Sequence, residues 1–265
     1  MSTSDERIGL RFDTVGELYH EVRPRYPAAI RDRLIEVTRL PHGARVLEIG
    51  AGTGIATAEL IRPGWQVTAL EPGPTMAAIV SRDLGPTGQV DVRVGRLEDF
   101  EWTGAPFDLV IGATSLHWVD RERLHTRLRE LVRPEGFAAL VCYRHVAGGT
   151  VAFFDAAQDC YWRHAPSIAG PGLRETEADS VFSRALDGLH GFRDRHREHW
   201  LHDVTSDRTH YLALLATYSG HLALPEHERA ALLGCIGNLI DERFGGRIVK
   251  RYRHDLVVMQ RSARP

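Results

Sequence analysis

The sequence predicts an α/β fold: a doubly wound, mostly parallel seven-stranded sheet with a helical cap inserted after the fifth strand. Short apolar runs alternate with helical stretches between residues 27 and 142. Several of these runs are unbroken rather than alternating, as in parallel strands that are covered on both faces. A glycine-rich segment from Gly50 to Gly54 directly follows the first run, and such sheets bind ligands at the carboxyl ends of their strands.

The elements of the sheet follow from local patterns. A helix over residues 27–40 precedes the first strand, because apolar residues from Ile30 to Leu40 recur at helical spacing and Pro41 stops the pattern. The helix over residues 121–133 carries one apolar stripe, and Asp120 caps its start. Strands are predicted at residues 45–49, 66–70, 90–94, 107–112 and 137–142.

Glycines and prolines after residue 142 indicate a change of organisation. We predict a ligand-binding core with lead-in helices over residues 1–146, a helical cap over 147–195, and C-terminal strands and helices over 196–265 that complete the core. A tail strand over residues 255–259 is expected to pair with residues 199–205. Further helices are predicted at residues 153–164, 175–189, 209–221 and 226–244. Four aromatic residues of the cap either form a substrate lid or pack the cap itself: Phe153, Phe154, Tyr161 and Trp162.

Composition restricts the possible partners. The chain has 265 residues, 43% of them hydrophobic, and a formal net charge of −2, so no overall field attracts nucleic acid or anionic membrane. No apolar run is long enough for a membrane helix. The sequence also lacks the D/N-P-P-Y and Pro-Cys motifs of nucleic-acid methylation. We therefore expect no nucleic-acid or membrane partner, and the oligomeric state is left open.

Two residue types bear on cellular context and chemistry. Cys142, Cys160 and Cys235 are odd in number and far apart, which predicts reduced thiols and a cytoplasmic protein. Only Lys250 among the 33 basic residues is a lysine. This excludes a P-loop lysine after the glycines and argues against Schiff-base chemistry. The arginine bias suggests a GC-rich bacterial genome.

The glycine segment does not fit the dinucleotide fingerprint G-x-G-x-x-G. The third glycine of that motif would fall at Ile55 or Thr57, where helix–strand packing needs a small residue. Glu71 ends the second strand, 17 residues past Gly54, and a carboxylate there is suited to a bidentate hydrogen bond with the two ribose hydroxyls. An adenosine-containing ligand is therefore predicted, although Glu71 alone does not distinguish between such ligands.

The glycine segment, Glu71 and three later segments (residues 95–100, 107–120 and 128–140) together resemble the ordered motifs of small-molecule class I S-adenosylmethionine (SAM) methyltransferases. The ubiquinone/menaquinone-type and trans-aconitate-type enzymes are the most similar groups, and the lead-in pattern of Phe12, Tyr19 and residues 23–27 also resembles theirs. The resemblance covers residues 12–142 and implies a Rossmann-like fold with SAM as the methyl donor.

The resemblance also implies roles for individual residues. The three glycines would hold the methionine end of SAM, Glu71 the ribose, and Leu97 with Glu98 the adenine. Ala113 and Thr114, at the end of the fourth strand, would line the sulfonium side. One departure is Arg96, which stands where many relatives carry an acid. The residues expected to bind SAM are Tyr19, Arg23, Glu48, Gly50, Gly52, Gly54, Glu71, Pro72, Met76, Leu97, Glu98, Ala113 and Thr114.

Residues after the fourth and fifth strands are candidates for the acceptor side. His117 is either a general base, as a near-neutral pKa would suit, or a packing residue against Trp118. Trp118 is expected to bind the acceptor, and Tyr143, Arg144 and His145 leave the fifth strand where that acceptor would lie. Arg144 there either clamps a carboxylate or phosphate or belongs to a surface turn.

The predicted function is transfer of a methyl group from SAM to an oxygen, nitrogen or carbon nucleophile of a small molecule, by in-line displacement that gives S-adenosylhomocysteine. Alternatives are a SAM-binding cyclase or regulatory binder that transfers no methyl group and, less favoured, a nicotinamide-dependent oxidoreductase. No metal is expected. The histidines of the segment His196 to His202 lie on a predicted strand, where residues three apart point to opposite faces.

Overall fold

Seven strands form one sheet in the computed structural model, which describes residues 12–170 and 184–263. In chain order the strands are β1 (Arg45–Ile49), β2 (Gln66–Glu71), β3 (Val90–Val94), β4 (Phe107–Ala113), β5 (Val132–Gly149), β6 (Phe192–Asp207) and β7 (Arg247–Arg261). Their order across the sheet is β3-β2-β1-β4-β5-β7-β6. The pairs among β1 to β5 are parallel, whereas β7 lies antiparallel to both β5 and β6. The mostly parallel seven-stranded sheet is thus confirmed, with one antiparallel strand inside it.

The α-helices of the described residues precede and connect these strands. In chain order they are α1 (Gly16–Val22), α2 (Ala28–Thr38), α3 (Ile55–Leu60), α4 (Pro74–Leu84), α5 (Arg121–Leu131), α6 (Val151–His164), α7 (Arg208–Ala216), α8 (Ser219–Leu222) and α9 (Glu226–Phe244). Helix α2 ends at a left-handed residue, Arg39, two residues before Pro41. The side chain of Asp120 accepts a hydrogen bond from the Arg123 N–H and caps α5 as predicted.

Hydrophobic layers cover both faces of the central strands. Successive residues of β1 point to opposite sides: Val46 packs in the layer that contains Ile30 of α2, and Leu47 packs in the layer that contains Leu128 of α5. All four side chains are nearly or fully buried. This two-sided burial explains why the parallel strands are unbroken apolar runs in the sequence.

A third hydrophobic cluster joins helices from distant parts of the chain. Phe153 of α6, Leu214 of α7 and Ile236 of α9 pack together with Val22 of α1. The helical cap over residues 147–195 is therefore not confirmed as a separate insertion. Its one described helix, α6, shares a core with helices that follow β6.

Several predicted bounds differ from the structure. Strand β5 continues to Gly149 because residues beyond Cys142 pair with the long strand β7. The helix predicted over residues 209–221 is divided after Ala216, where the Thr217 hydroxyl donates to the Leu214 carbonyl. Residues 185–188 form turns, and the remainder of the helix predicted over 175–189 lies largely outside the described residues. The pairing of the tail strand with β6 is confirmed, in the register His199 opposite Asp255.

The cysteines correct one prediction. Cys160 of α6 and Cys235 of α9 form a disulfide, with 5.8 Å between their Cα atoms, whereas Cys142 is free and buried. The two helices pack side by side, which brings together thiols that are 75 residues apart in sequence. The expectation of three reduced thiols is therefore wrong for this pair, and it no longer supports a cytoplasmic location.

Candidate active site

A cavity of about 1080 Å³ lies at the carboxyl ends of β1, β2 and β4. The glycine-rich loop lines one part, and residues of α6, α7 and β7 line another. Fifteen of the residues predicted from the sequence line it: Tyr19, Arg23, Gly50, Gly52, Glu71, Pro72, Met76, Leu97, Glu98, Ala113, Thr114, His117, Trp118, Tyr143 and His145. The other three, Glu48, Gly54 and Arg144, do not appear in its wall.

The loop after β1 needs glycine for two different reasons. Gly50 has φ +66°, and a Cβ there would lie 2.6 Å from the Cβ of Ser115, so a side chain has no space. Gly52 has φ +59°, and a Cβ there would meet no protein atom within 4 Å. The space over Gly52 belongs to the cavity, which leaves bare backbone facing a possible ligand.

Glu71 holds this loop from the next strand. Its Oε2 accepts a hydrogen bond from the Gly52 N–H at 2.8 Å, and its Oε1 accepts one from the Gly73 N–H at 2.8 Å. The side chain is only 7% exposed, and burial raises the pKa of its carboxyl group. Each carboxylate oxygen can accept a further hydrogen bond, so the capacity to bind ligand hydroxyls is retained.

Glu48 and Gly54 act behind the cavity rather than in it. The buried Glu48 carboxylate accepts a hydrogen bond from the Thr57 hydroxyl at 2.6 Å, and burial raises its pKa to about 7. Gly54 is the left-handed N-cap of α3, and a Cβ there would lie 3.2 Å from the Leu84 side chain. Both residues support the start of α3 next to the loop. Neither lines the cavity, although both were predicted to bind SAM.

The segment after β3 forms another part of the cavity wall. Leu97 is buried, and Glu98 and Arg96 also line the cavity. The Arg96 Nε lies 4.0 Å from the Glu98 Oε2, so the residue that departs from the family pattern is close to the acid two positions later.

Thr114 follows β4 in a strained conformation. Its φ of +56° is unusual for a β-branched residue. The backbone N–H of Thr114 donates to the Val141 carbonyl at 2.7 Å, and its hydroxyl lies 3.1 Å from the Tyr26 hydroxyl. Tyr26, which the sequence analysis did not select, thereby fixes the residue expected beside the sulfonium.

His117 is partly buried and packs against Trp118, with 4.8 Å between ring centroids. Burial lowers the pKa of its imidazole to about 4. The near-neutral pKa expected for a general base is therefore not what the structure gives. His117 is neutral at pH 7 and can accept a proton, but it is a weak base.

Arg23 enters the cavity wall from the segment between α1 and α2. Its guanidinium donates to the Thr217 carbonyl at 2.7 Å and to the Thr217 hydroxyl at 3.0 Å. It also stacks on two rings, with the guanidinium carbon 4.4 Å from the Tyr19 ring centroid and 4.9 Å from that of Tyr218. Arg23 therefore ties the lead-in segment to the end of α7.

Arg144 corrects a prediction for the acceptor side. Because side chains alternate along a strand, Tyr143 and His145 face the cavity and Arg144 points to the other face of β5. There the 7%-exposed Arg144 donates to the Asp255 carboxylate at 2.8 Å. Its guanidinium is part of a buried ion pair rather than a clamp for a substrate.

The distal half of the cavity contains three residues to which sequence reasoning assigned no role: Lys250, Tyr218 and His221. The Lys250 Nζ donates to the Tyr218 hydroxyl at 2.7 Å, and the Tyr161 hydroxyl lies 3.0 Å from His221 Nε2. Phe154 lines the cavity as well. The uniqueness of Lys250 was visible in the sequence, but its position depends on the register of β7.

The four aromatic residues proposed as lid or packing divide between these roles. Phe154 and Tyr161 line the cavity, Phe153 is fully buried among the helices, and Trp162 is 57% exposed.

Within residues 12–170 and 184–263, no helix is long and apolar enough to span a membrane. In the same ranges no cluster of three or more His, Cys, Asp or Glu side chains is arranged to bind a metal ion.

Comparison with known proteins gives concordant results. Residues 46–136 match the family described as a methyltransferase domain. An uncharacterized methyltransferase of Mycobacterium tuberculosis H37Rv is 33% identical over 142 residues, 53% of this chain and 55% of that protein. A ubiquinone biosynthesis O-methyltransferase of Methylocella silvestris is 30% identical over 164 residues, 52% of this chain and 64% of that protein. This chain thus spans about half to two thirds of the length of these relatives.

The fold is shared more widely than the sequence. A protein named as a type II methyltransferase from Anaeromyxobacter dehalogenans superposes with a TM-score of 0.62 at 24% identity. The match covers 92% of this chain and 99% of that one. The motif order, the domain match and these relatives agree on a methyltransferase domain over residues 46–136 of this chain.

Proposed function

We propose that this protein transfers a methyl group from SAM to a nucleophilic atom of a small molecule and releases S-adenosylhomocysteine. The observation that carries the proposal is the hydrogen bond from the Gly52 N–H to Glu71 beside the open space over Gly52. This pairing puts bare backbone and a carboxylate at one end of a large cavity. A nucleoside with an amino-acid tail needs both features.

The donor set fits SAM. Glu71 would accept hydrogen bonds from the ribose hydroxyls, and the backbone around Gly52 would approach the methionine portion. Leu97 and Glu98 would contact the adenine from the third-strand side. The cavity continues past Thr114, which leaves room for an acceptor.

The chemistry of such a transfer requires alignment above all. SAM supplies a methyl group on a positively charged sulfur, and a positioned nucleophile displaces it in line. Holding two reactants in the reactive geometry contributes about 7–11 kcal/mol in well-oriented cases. Thr114, fixed by Tyr26, and Trp118 would shape the position between donor and acceptor. No covalent bond to the protein is needed.

His117 has a limited role in this proposal. Its neutral imidazole would accept the proton of a hydroxyl or amine acceptor, whereas an acceptor that is already ionised needs no base. A carbon, nitrogen or oxygen nucleophile is compatible with this arrangement. The acceptor itself is the only partner that we propose.

Calorimetry and transfer assays test the proposal together. We expect SAM and S-adenosylhomocysteine to bind and NADH not to bind, because the glycine spacing differs from the dinucleotide motif. Methyl-labelled SAM should then transfer label to members of a small-molecule panel. Binding without any transfer would favour the SAM-binding cyclase or regulatory alternative, and tight binding of NADH alone would overturn the proposal.

A further inference from the structure

Lys250 is an unusual residue in this chain, because it is the only lysine and is almost completely buried. It lies on β7 opposite Gly149 of β5, with a side chain that is 4% exposed and lines the cavity. Its Nζ donates to the Tyr218 hydroxyl at 2.7 Å and lies 5.1 and 5.2 Å from the ring centroids of Tyr218 and Tyr252. The ammonium group is therefore held by aromatic side chains.

The ammonium has no anionic partner among the residues that the structure describes. Arg144 and Arg253, which are buried to a similar degree, both pair with the carboxylate of Asp255. Lys250 forms no such ion pair, and one of its three N–H groups uses the Tyr218 hydroxyl. A buried charge without a counter-ion is costly, so a group that neutralises it stabilises the protein.

The groups around Lys250 are aromatic rings, imidazoles and the Tyr218 hydroxyl. Burial would raise the pKa of that hydroxyl, but the charges of Lys250 and Arg23 outweigh it and lower the pKa. His145 and His221 line the same part of the cavity, and burial beside the lysine charge lowers their pKa values to about 2 and about 4. The Nε2 of His145 is buried without a hydrogen-bond partner. Phe154 and Tyr211 add aromatic walls. These groups suit a flat apolar molecule that has one polar end.

A row of rings separates this lysine from the predicted methyl-transfer position. The Tyr26 hydroxyl lies 3.1 Å from the Thr114 hydroxyl, and the Tyr26 ring centroid is 5.8 Å from that of Tyr143. The Tyr143 ring is 5.6 Å from Tyr252, whose ring centroid lies 5.2 Å from the Lys250 Nζ. An acceptor that extends from Lys250 to the position beside Thr114 has its anionic group at a distance from the atom that is methylated.

We propose that Lys250 is the acceptor anchor: it pairs with the carboxylate of an aromatic or similarly flat acid, whose nucleophilic atom lies toward Thr114. This inference rests on the proposed function and names its substrate class. Lys250 offers a single ammonium group, and Arg23, the other cation next to Tyr218, already donates to Thr217, so a monoanion suits this site better than a phosphate. The role is one of positioning and specificity, and the methyl-transfer chemistry does not involve Lys250.

Binding of matched probes tests the anchor without requiring the natural acceptor. Benzoate, 2-naphthoate and 3-phenylpropionate would each be compared with the corresponding primary amide by calorimetry on the full chain, with and without S-adenosylhomocysteine. Charge-assisted hydrogen bonds lead us to expect carboxylates to bind about tenfold to a hundredfold more tightly than their amides. Equal binding of amides, no binding of any carboxylate, or tighter binding of phenyl phosphate would overturn the proposal.

Two variants separate anchoring from a general charge effect. Lys250→Met should abolish the preference for carboxylates and leave the affinity for S-adenosylhomocysteine unchanged. Arg251→Met is the matched control, because Arg251 is the next residue of β7 and pairs at the surface with Asp203 at 2.7 Å. The control should keep the full preference. A preference that survives in Lys250→Met would contradict the assignment.

Thermal unfolding distinguishes an anchor from a structural lysine. Removal of an uncompensated buried charge should leave the melting temperature of the ligand-free protein unchanged or raise it. A large decrease for Lys250→Met would instead show that Lys250 stabilises the fold through a partner, which also overturns the proposal. Failure of the methyltransferase proposal has a different signature, since label transfer would be absent while the carboxylate preference persisted.

Discussion

The Gly52 N–H donates to the Glu71 carboxylate at 2.8 Å, which joins the loop after β1 to the end of β2. This one contact connects backbone conformation with ligand chemistry. The same carboxylate keeps the loop in place and faces the cavity where a ribose would lie. Loop geometry and ligand affinity are therefore expected to change together when Glu71 is altered.

Replacement of Glu71 by glutamine should weaken binding of S-adenosylhomocysteine about tenfold to a hundredfold. The amide NH₂ cannot accept the hydrogen bond that one carboxylate oxygen accepts from backbone, and charge-assisted bonds contribute about 1.5–3 kcal/mol. Calorimetry measures the change. Glu98→Gln is a control on the adenine side, where a smaller effect is expected. Unchanged affinity in Glu71→Gln would remove Glu71 from the donor site.

Replacement of His117 by asparagine should affect acceptors selectively. Because burial lowers the His117 pKa to about 4, we expect a decrease in kcat of only about tenfold for hydroxyl acceptors, less than a well-matched base provides. Acceptors that are ionised at the assay pH should react at nearly the native rate. The rate with hydroxyl acceptors should also hold from pH 8 down to about pH 5, and a decline centred near pH 6.5 would contradict the low pKa of His117.

Loss of the buried ion pair between Arg144 and Asp255 should destabilise the fold without altering ligand binding. Arg144→Ala leaves a buried carboxylate with one partner fewer, and such changes cost about 3–5 kcal/mol. Urea unfolding measures the loss, and S-adenosylhomocysteine affinity under native conditions should be unchanged. Arg251→Ala at the exposed pair with Asp203 should cost less than about 1 kcal/mol. A specific loss of acceptor binding in Arg144→Ala would restore the role predicted from sequence.

The buried histidines should lower the stability as the pH falls from about 6.5 toward 4. Glu48, whose pKa burial raises to about 7, should offset part of this loss, because in this window the folded chain binds a proton there that the unfolded chain does not. Burial lowers the pKa values of His117, His221 and His254 to about 4, below the ordinary value of 6.5. In this window the unfolded chain binds protons and the folded chain does not, so each histidine reduces the free energy of unfolding by up to about 1.4 kcal/mol per pH unit.

Urea unfolding across this pH range measures the effect. His254→Gln should flatten the dependence, whereas the exposed His227→Asn should leave it unchanged. The comparison of variants separates the histidine contribution from the titration of the carboxylates. If the histidine contribution to the free energy of unfolding is constant from pH 6.5 to 4.5, the buried neutral state of these imidazoles is contradicted.

The disulfide between Cys160 and Cys235 should appear in thiol titration. Denatured protein without reductant should expose one reactive thiol, that of Cys142, and reduced protein should expose three. Reduction should also lower the free energy of unfolding by about 2–5 kcal/mol, because the bond closes a long loop. Three free thiols without reductant would show that α6 and α9 are joined by packing alone.

The sequence predicted the elements that depend on local pattern. The parallel strands β1 to β4 appear within one residue of their predicted bounds. Strands β1, β2 and β4 are short apolar runs because they are buried on both faces, whereas β3 is an edge strand in which valines alternate with charged residues. The glycine loop and Glu71 could also be predicted from the sequence, since a turn that needs positive φ restricts the residue type.

Features that depend on long-range register were not predictable in this way. Arg144 and His145 look alike as candidates in sequence, but one residue along β5 reverses the face on which a side chain lies. Lys250 reaches the cavity only because β7 inserts between β5 and β6. The low pKa of His117 likewise reflects burial by residues that come together only in the fold.

A crystal structure with S-adenosylhomocysteine would show directly how the donor lies in the cavity. We expect the ribose hydroxyls on the Glu71 carboxylate, the amino-acid tail over the backbone of Gly52, and the sulfur beside Thr114. A ligand bound in any other part of the cavity, with Glu71 still occupied by backbone alone, would contradict this expectation.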